Sequence, residues 1–395
     1  MSEEKLVPKL RFSGFDDEWK SFKLNEVGNI VTGATPPTKD NDNFINSGYL
    51  WVTPGDISSK KVVSKTERNL SEKGLKNGRK LDPNSILVTC IGATIGKLCM
   101  INEIGSCNQQ LNAISANKNF YPDFIYYVIQ KTAKNLILIA GNTATPILNK
   151  KSFGNLSYIF PSFNEQKKIA LFLDKIDKKR ELLEKKYEFY QDFKKYLMQQ
   201  IFTQKLRFAD YNEYSLKQIL EKIENGFSGT QVNYETPFPV TRIETISSGI
   251  INYNKVGFVD HIPERYLLKE GDILLTNINS IKWIGNSVYF DGKRVLYHGM
   301  NLMLLRSKKE INSKYLYYYI TYNNNWFKKM ACQAVNQASI NKSTLEKFIV
   351  KIPDFETQNN IANVLSLTDE KINRISNQVD LTRKFKKGLL QQMFV

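Results

Sequence analysis

The ten residues FKKYLMQQIF at positions 193–202 occur a second time, as FKKGLLQQMF, at positions 385–394. Seven of the ten positions are identical, and the two copies lie 192 residues apart in a chain of 395. The same spacing relates PSFNEQ at 161–166 to PDFETQ at 353–358. The chain is therefore predicted to contain two copies of one structural unit, each ending in this segment.

Each copy ends in a segment with the pattern of a long helix. Steps of four and three residues from Ile169 reach ten positions, and eight of these are apolar or Tyr; Arg180 and Lys194 are the exceptions. A heptad pattern held over about five heptads indicates a coiled coil. The two helices are expected to pair with each other through the residues Ile169, Leu173, Ile176, Leu183, Tyr187, Leu197, Ile361, Leu365, Ile372, Ile375, Val379 and Leu389.

The beginning of each helix carries its own prediction. Ser162 and Glu165 match a capping box at the start of the first helix. The second copy has Thr357 in place of this glutamate, so a weaker cap is expected there.

The regions that precede the helices read differently. Short apolar runs such as SILVT at 85–89 alternate with Gly, Asn, Pro and Ser, which indicates short strands and many turns, with helices near 122–139 and 313–330. We expect one α+β domain of about 140 residues in each copy. The predicted division is a first domain with an N-terminal arm at 1–161, a helix at 162–206, a second domain at 207–352 and a second helix at 353–395.

Composition narrows the class of protein. The formal net charge is +17, which favours a polyanionic partner, most simply double-stranded nucleic acid. No stretch approaches the roughly 18 apolar residues of a membrane span. The four cysteines form no CxxC pair and there are only two histidines, so no metal site is predicted and a reducing cytoplasm is the expected compartment.

Motifs for catalysis are weak. GATIGK at 92–97 has three residues between its glycines instead of the four of a phosphate-binding loop, and Leu98 follows the lysine where Ser or Thr would bind magnesium. Asp123 with Glu165 and Lys167 has the letters of a nuclease site, but the second copy lacks the matching glutamate and lysine. The chain is therefore predicted to be a binding protein and not an enzyme.

Basic and amide side chains supply candidates for DNA contacts. Residues 60–80 hold eight Lys or Arg against two Glu, and lysine or arginine on a surface strip would contact phosphates; a solvated charged loop is the alternative. Arg suits guanine edges, and Asn or Gln suits adenine edges. The candidates are Lys60, Lys61, Lys76, Arg79, Lys80, Lys97, Asn142 and Thr143 in the first region, and Arg242, Asn279, Lys282, Arg294, Asn336 and Gln337 in the second.

The repeated segments, with openings such as WKSFKLNEVGNIVTGATP at 19–36 and GYLWVTPGDI at 48–57, resemble the specificity subunit of type I restriction–modification systems. The resemblance covers nearly the whole chain. It implies two target recognition domains of similar fold, separated by two long helices that form an antiparallel coiled coil with pseudo-twofold symmetry. Each domain would read one half of a split, asymmetric DNA site.

The same resemblance implies partners and cofactors. Modification (methyltransferase) subunits with S-adenosylmethionine would methylate adenine by base flipping, and restriction subunits would act as an ATP- and magnesium-dependent translocase and nuclease. This chain would hold no catalytic residue and no cofactor. Two alternatives remain: a stand-alone DNA-binding regulator with two reading domains, and a scaffold whose charge serves acidic proteins.

Overall fold

The computed structural model describes residues 6–141, 144–247, 249–334 and 337–395. The chain forms two compact units, one of Met1–Lys185 with Ser376–Val395 and the other of Lys186–Ile375. Each unit contains one of the two variable regions together with a part of each long helix. No helix in the described ranges is long and apolar enough to cross a membrane.

The first variable region is built around a five-stranded sheet of order β2-β10-β7-β8-β5, beside a four-stranded sheet of order β3-β6-β4-β9 and the antiparallel pair β1-β11. Its elements are β1 (Lys20–Lys23), α1 (Leu24–Val27), β2 (Gly28–Thr32), β3 (Phe44–Ile45), β4 (Tyr49–Val52), β5 (Val62–Val63), β6 (Asn69–Leu70), α2 (Glu72–Asn77), β7 (Ile86–Thr89), β8 (Leu98–Ile101), β9 (Gly105–Cys107), β10 (Leu111–Ala116), α3 (Pro122–Thr132), α4 (Leu136–Ala140), α5 (Lys150–Gly154) and β11 (Ser157–Phe160). The first long helix, α6, is Phe163–Phe202.

The second variable region repeats this arrangement with a sheet of order β13-β19-β16-β18, the pairs β12-β22 and β14-β15, and a three-stranded sheet β17-β21-β20. Its elements are β12 (Asn212–Ser215), α7 (Leu216–Ile219), β13 (Leu220–Asn225), β14 (Pro239–Val240), α8 (Ile243–Ile246), β15 (Gly257–Phe258), β16 (Ile273–Thr276), β17 (Ile278–Asn279), β18 (Ser287–Tyr289), β19 (Leu302–Ser307), α9 (Ser313–Tyr322), α10 (Asn324–Met330), β20 (Cys332–Ala334), β21 (Gln337–Ser339), α11 (Lys342–Leu345) and β22 (Ile349–Ile352). The second long helix, α12, is Phe355–Gln392.

Strand register shows that both regions share one framework. β1 pairs with β11 so that Lys20 lies opposite Phe160, and β12 pairs with β22 so that Asn212 lies opposite Ile352. Both members of the second pair lie 192 residues after their counterparts. The α+β fold predicted for each variable region is therefore confirmed, although the helices predicted near 122–139 and 313–330 are each broken into shorter helices.

The interiors of the two frameworks differ at one matched place. In the first, the hydroxyls of Ser85 and Ser115 lie 3.0 Å apart. In the second, the matching positions are held by Asp272, which directly precedes β16, and by Arg306 of β19. They form a bidentate ion pair with N–O distances of 2.7 and 2.8 Å. Both members of the pair have changed together, which keeps each interior polar pair satisfied.

The starts of the two long helices correct both capping predictions. Glu165 is buried and accepts hydrogen bonds from Nε and Nη2 of Arg11, each at 2.8 Å, so its carboxylate pairs with the N-terminal arm instead of capping α6. Asp354 caps α12, because Oδ1 accepts from the backbone N–H of Thr357 and Oδ2 from its hydroxyl, both at 2.8 Å. These bonds lower the pKa of Asp354. The start predicted to be weakly capped therefore has a regular cap.

The long helices pair antiparallel within each unit. In the first unit Asp177 pairs with Lys386, and Glu184, further along α6, pairs with the earlier Arg383 of α12. The predicted seam residues lie at or near the helix interface and its adjoining cores. Nine of them are buried, namely Ile169, Leu173, Ile176, Ile361, Leu365, Ile372, Ile375, Val379 and Leu389. The other three, Leu183, Tyr187 and Leu197, are half-buried.

Candidate nucleic-acid interface

Several loops of the first unit converge at one end of its sheets. The backbone N–H of Gly33 donates to the carbonyl of Leu111 at 2.9 Å, and that of Ala34 donates to the carbonyl of Cys107 at 2.8 Å. A Cβ on Gly33 would lie 2.1 Å from the carbonyl oxygen of Asn108, so this close approach requires glycine. We call residues 32–36, 51–56, 66–69, 78–80 and 107–112 the first loop cluster.

Two arginines are fixed on the first loop cluster. The Arg79 guanidinium donates from Nη1 to the carbonyl of Thr32 at 2.7 Å. The Arg68 guanidinium lies 3.7 Å from the ring centroid of Phe44 and 5.7 Å from that of Trp51. Trp51 is itself anchored by donation from Nε1 to Ala34 at 3.2 Å. Both arginines are exposed, and guanidinium groups held in this way are preorganised for phosphate or base contacts.

The second unit has a matching assembly. The backbone N–H of Phe227 donates to the carbonyl of His298, and that of Thr241 to the carbonyl of Tyr297, both at 2.9 Å. A Cβ on Gly226 would lie 1.8 Å from the carbonyl oxygen of Gly299. We call residues 225–231, 240–245, 264–267 and 296–300 the second loop cluster. The same loop-against-loop contact thus recurs with glycine at its centre.

Most of the predicted basic contacts lie on the surface. Lys60, Lys76, Lys80 and Lys97 are exposed in the first unit, as are Lys282 and Arg294 in the second. Lys76 lies 3.6 Å from Glu72. The Lys282 ammonium lies 5.0 Å from the ring of Trp283, and the Arg294 guanidinium lies 4.8 Å from the ring of Tyr253.

The amide candidates and Arg242 have more varied settings. Arg242 belongs to the second loop cluster, is half-buried and donates from Nε to Gln231 at 2.5 Å. Asn279 is also half-buried and accepts from the backbone N–H of Ser280 at 2.7 Å. Gln337 begins strand β21. Asn142, Thr143 and Asn336 lie outside the described residues.

Lys61 has a different role from its neighbours in the basic strip. Its side chain is buried, and its ammonium is hydrogen-bonded to both Asp123 and Asp174. It also lies 4.8 Å from the ring of Tyr127. A cation enclosed by two carboxylates and an aromatic ring does not reach a phosphate, so we assign Lys61 to the packing of the strip on α3 and α6.

The loop GATIGK at 92–97 is a packed turn. The backbone N–H groups of Gly92, Ile95, Gly96 and Lys97 each donate to a carbonyl of the protein at 2.9–3.2 Å. Gly96 has φ +89° and approaches Ala133, where a Cβ would lie 2.2 Å from the carbonyl oxygen. A phosphate-binding loop needs free N–H groups, and here these four are already used.

In the parts of the chain that the structure describes, the features of catalytic or metal chemistry do not assemble. Asp123 and Glu165, the carboxylates of the nuclease pattern, are held by different cations, Lys61 and Arg11. Among the described residues, no group of three or more His, Cys, Asp or Glu side chains is arranged to hold a metal ion. Burial raises the pKa of both Cys90 and Cys107 to about 12, so these thiols are unreactive near neutral pH.

A polar arrangement at the helix interface was not predicted from the sequence. In the first unit, Asp177 of α6 accepts from Lys386 of α12 at 2.7 and 2.8 Å. The hydroxyl of Tyr127 of α3 lies between two carboxylates of α6, 2.8 Å from Asp177 and 2.6 Å from Asp174. The Lys386 ammonium also lies 4.9 Å from the Tyr127 ring. Burial raises the pKa of Tyr127, so its hydroxyl stays protonated and donates. We call Asp177, Lys386 and Tyr127 the first triad.

The second unit contains the equivalent second triad. Asp369 of α12 accepts from the hydroxyl of Tyr318 at 2.8 Å and from Lys194 of α6 at 2.6 Å, and the Lys194 ammonium lies 5.1 Å from the Tyr318 ring. Asp177 and Asp369 are 192 residues apart, as are Lys194 and Lys386. The repeated aspartate within an apolar heptad pattern was the signal in the sequence that could have revealed the triads.

Comparison with known proteins matches both halves of the chain to one family. Residues 16–189 and 208–381 match the family described as Type I restriction modification DNA specificity domain. The chain is 40% identical over 193 residues to a putative type I restriction enzyme MjaX specificity subunit of Methanocaldococcus jannaschii, an alignment that covers 47% of this chain and 45% of that protein. It is 28% identical over 201 residues to the EcoR124I/EcoR124II specificity subunit of Escherichia coli, covering 46% and 49%. These alignments span about half the length of each relative.

Solved structures share the fold. The type I restriction-modification S subunit of M. genitalium superimposes with a TM-score of 0.68 at 18% identity, covering 99% of both chains. A chain from a structure of type I R-M complex assembly and conformational transition gives a TM-score of 0.60 at 15% identity, covering 96% of this chain and 98% of that one.

Proposed function

The chain belongs to the type I restriction modification DNA specificity family, and from this premise we propose that it reads DNA sequence for a restriction–modification complex. Each variable region acts as a target recognition domain and reads one half of a split DNA site. The two halves differ, so the whole site is asymmetric. Methylation and restriction are carried out by partner subunits, which also hold S-adenosylmethionine, ATP and magnesium.

One observation carries this proposal: the two regions keep one framework but carry different loops. GATPPT at 33–38 corresponds to GFSGTQ at 226–231, and TPGD at 53–56 corresponds to TRIE at 241–244. These segments lie in or directly beside the two loop clusters, where backbone contacts are repeated and side chains are not. A protein that reads two different half-sites needs this combination, because base contacts depend on side chains.

The positions of the basic side chains also support the two loop clusters as the surface that binds DNA. Arg79 and Lys80 lie in the first loop cluster, Lys76 lies just before it in α2, and Arg242 lies in the second cluster. Phosphate contacts of this kind supply affinity and fix the register of a protein on the duplex, and base-edge contacts add the specificity.

Exposed apolar side chains on the long helices suit the docking of modification subunits. On α6, Phe189 is 63% exposed and Phe193 is 41% exposed; on α12, Leu381 is 64% exposed and Phe385 is 57% exposed. Each α12 residue lies 192 positions after its α6 counterpart. Large apolar side chains left in water at matched places mark surfaces that a partner covers, and two such places suit two copies of one modification subunit.

The experiment is co-expression of the chain with type I methyltransferase subunits from the same organism, followed by mapping of methylated adenines in the host DNA. We expect one split, asymmetric motif. Phe193→Glu with Phe385→Glu should abolish co-purification of the methyltransferase and the methylation, whereas Phe208→Glu, a matched change at a side chain 59% exposed outside the long helices, should not. Sequence-specific DNA binding without any such partner would instead indicate a stand-alone regulator, and no gel shift would indicate a scaffold.

A further inference from the structure

The two triads are related by exchange of the helices that supply them. In the first triad the aspartate comes from α6 and the lysine from α12; in the second the aspartate comes from α12 and the lysine from α6. In two antiparallel helices, the residue numbers of positions that face each other have a constant sum. This sum is 563 for 177 with 386 and also for 194 with 369. A single antiparallel register therefore satisfies both ion pairs.

A shift of this register would take Asp177 away from Lys386. If the helices slid by one heptad, Asp177 would lie opposite Val379 or Met393. Lys386 would lie opposite Ala170 in one direction and would meet Glu184 in the other, so Asp177 is the residue that loses its partner in both. Asp177 is 5% exposed and Lys386 is 6% exposed. An unpaired carboxylate or ammonium at such a buried place is strongly unfavourable, and the best-attested use of buried polar pairs between helices is to select one register.

Each triad also ties a reading domain to that register. The tyrosine hydroxyl comes from α3 or α9, which belong to the variable regions, and it lies 2.8 Å from the aspartate that binds the lysine. The hydroxyl of Tyr127 also lies 2.6 Å from Asp174, the neighbouring carboxylate of α6. The aspartate of each triad thus joins three elements: its own long helix, the other long helix and the adjoining domain. An apolar contact at this place would tolerate sliding, whereas the buried ion pair of the first triad does not. The pair of the second triad is half-buried, with the Lys194 side chain 18% and the Asp369 side chain 31% exposed, and it favours the same register.

We propose that Asp177 and Asp369 are positioning residues that set the register of the long helices and, through Tyr127 and Tyr318, fix where each domain is held on them. The consequence is that the triads determine the number of base pairs between the two half-sites, and this consequence rests on the proposed function. They touch no DNA and take part in no reaction.

The test uses the full chain with its methyltransferase subunits and a DNA library in which the two half-sites are separated by spacers of every length from three to ten base pairs, on the order of one turn. An apolar variant replaces both ion pairs: Asp177→Leu, Lys386→Leu, Asp369→Leu and Lys194→Leu. We expect the wild type to prefer one spacer by about tenfold or more, as for a mismatched site. The apolar variant should methylate several spacers within about threefold of each other, with the half-site sequences unchanged.

A charge-reversed double variant and its two single variants keep the proposal testable if the apolar variant does not fold. Asp177→Lys with Lys386→Asp reverses the pair and keeps the same register complementary, whereas each single change places like charges together. The reversed pair should keep the wild-type spacer better than either single change. An apolar variant that folds yet keeps a single spacer, or a reversed pair no better than the singles, would overturn the proposal.

A readout without DNA separates this inference from the proposed function. Glu184 and Arg383 face each other across the helices with an N–O distance of 2.7 Å. With both replaced by cysteine and with Cys332→Ser, a short thiol cross-linker should join them efficiently in the wild-type background and several-fold less in the apolar one. Equal cross-linking in both would refute register control even if the DNA motif is found. A normal cross-linking result with no split motif would refute the proposed function alone.

Discussion

The ammonium of Lys386 lies 2.8 Å from Oδ1 and 2.7 Å from Oδ2 of Asp177, and both side chains are buried. The same two helices carry a second pair of equal length, Arg383 with Glu184 at 2.7 Å, in which the arginine is 55% exposed. The two pairs therefore differ in burial and not in distance, which makes them a matched comparison.

Lys386→Ala should lower the free energy of unfolding by about 3–5 kcal/mol, because it removes the hydrogen-bonded cation of the buried Asp177 carboxylate and leaves, among the described residues, only Arg180, whose Nη2 is 3.7 Å away. Arg383→Ala should cost no more than about 1 kcal/mol, because its pair is exposed to solvent. Urea denaturation of the full chain measures both. Similar losses for the two variants would mean that Asp177 gains access to water when its lysine is removed.

Replacing Lys76, Arg79 and Lys80 together with alanine should weaken DNA binding and flatten its salt dependence. Each lost phosphate contact lowers the slope of log K against log salt by about 0.9, so three contacts lower it by about 2.7. Fluorescence anisotropy on duplex DNA at several salt concentrations gives the slope. Lys20→Ala with Lys23→Ala, in exposed positions of β1, serves as the control; an equal effect there would place the duplex elsewhere.

His298 should make stability depend on pH. Its ring is 1% exposed, its Nε2 lies 3.0 Å from the carbonyl of Leu302, and burial lowers its pKa to about 4. Between the unfolded pKa of roughly 6.5 and this folded value, only the unfolded chain gains a proton. Stability should therefore fall as pH drops from about 6.5 to about 4, by about 3 kcal/mol.

The paired substitutions His298→Gln and His261→Gln isolate this contribution. The first removes the buried titrating group, and we expect it to flatten the loss of stability between pH 7 and pH 4. The second removes an exposed histidine and should leave the loss unchanged. Thermal unfolding across this pH range decides, and an unaltered profile for His298→Gln would assign the dependence to carboxylates.

A fragment of residues 1–208 should form a symmetric dimer. It contains Asp177 and also Lys194, the counterpart of Lys386, so a second copy can supply the lysine that each aspartate needs. Two identical reading domains then require a twofold DNA target, and with modification subunits the methylated motif should become an interrupted palindrome. A monomeric fragment, or an asymmetric motif, would contradict this expectation. Asp177→Lys in the fragment should prevent the pairing.

The long helices could be predicted because their information is local and repeated. Heptad spacing and the 192-residue repeat both point to α6 and α12, and the structure confirms the two helices. Glu165 illustrates the limit: its partner, Arg11, is 154 residues away, and a partner at that distance leaves no trace in the spacing of nearby residues. A capping box was therefore the natural but wrong reading.

The basic strip shows the same limit for the candidate interface. Within residues 60–80, Lys60 and Lys61 are adjacent and chemically identical, yet one is exposed and the other is buried between Asp123 and Asp174. Composition predicts that the strip is charged, but it does not predict which of its ammonium groups already has a partner. Tertiary contacts decide that, so the contacts to DNA within the strip remain predictions.

The three side chains of each triad come from different parts of the chain, and this has a consequence for how new variants of the protein can arise. The aspartate and the lysine belong to the long helices, and a variable region contributes the tyrosine alone. A gene segment that encodes a different variable region could therefore be grafted between the helices as a cassette, provided that it brings a tyrosine hydroxyl to the place of Tyr127 or Tyr318. New sequence preferences could then arise by recombination, without rebuilding the frame that receives them.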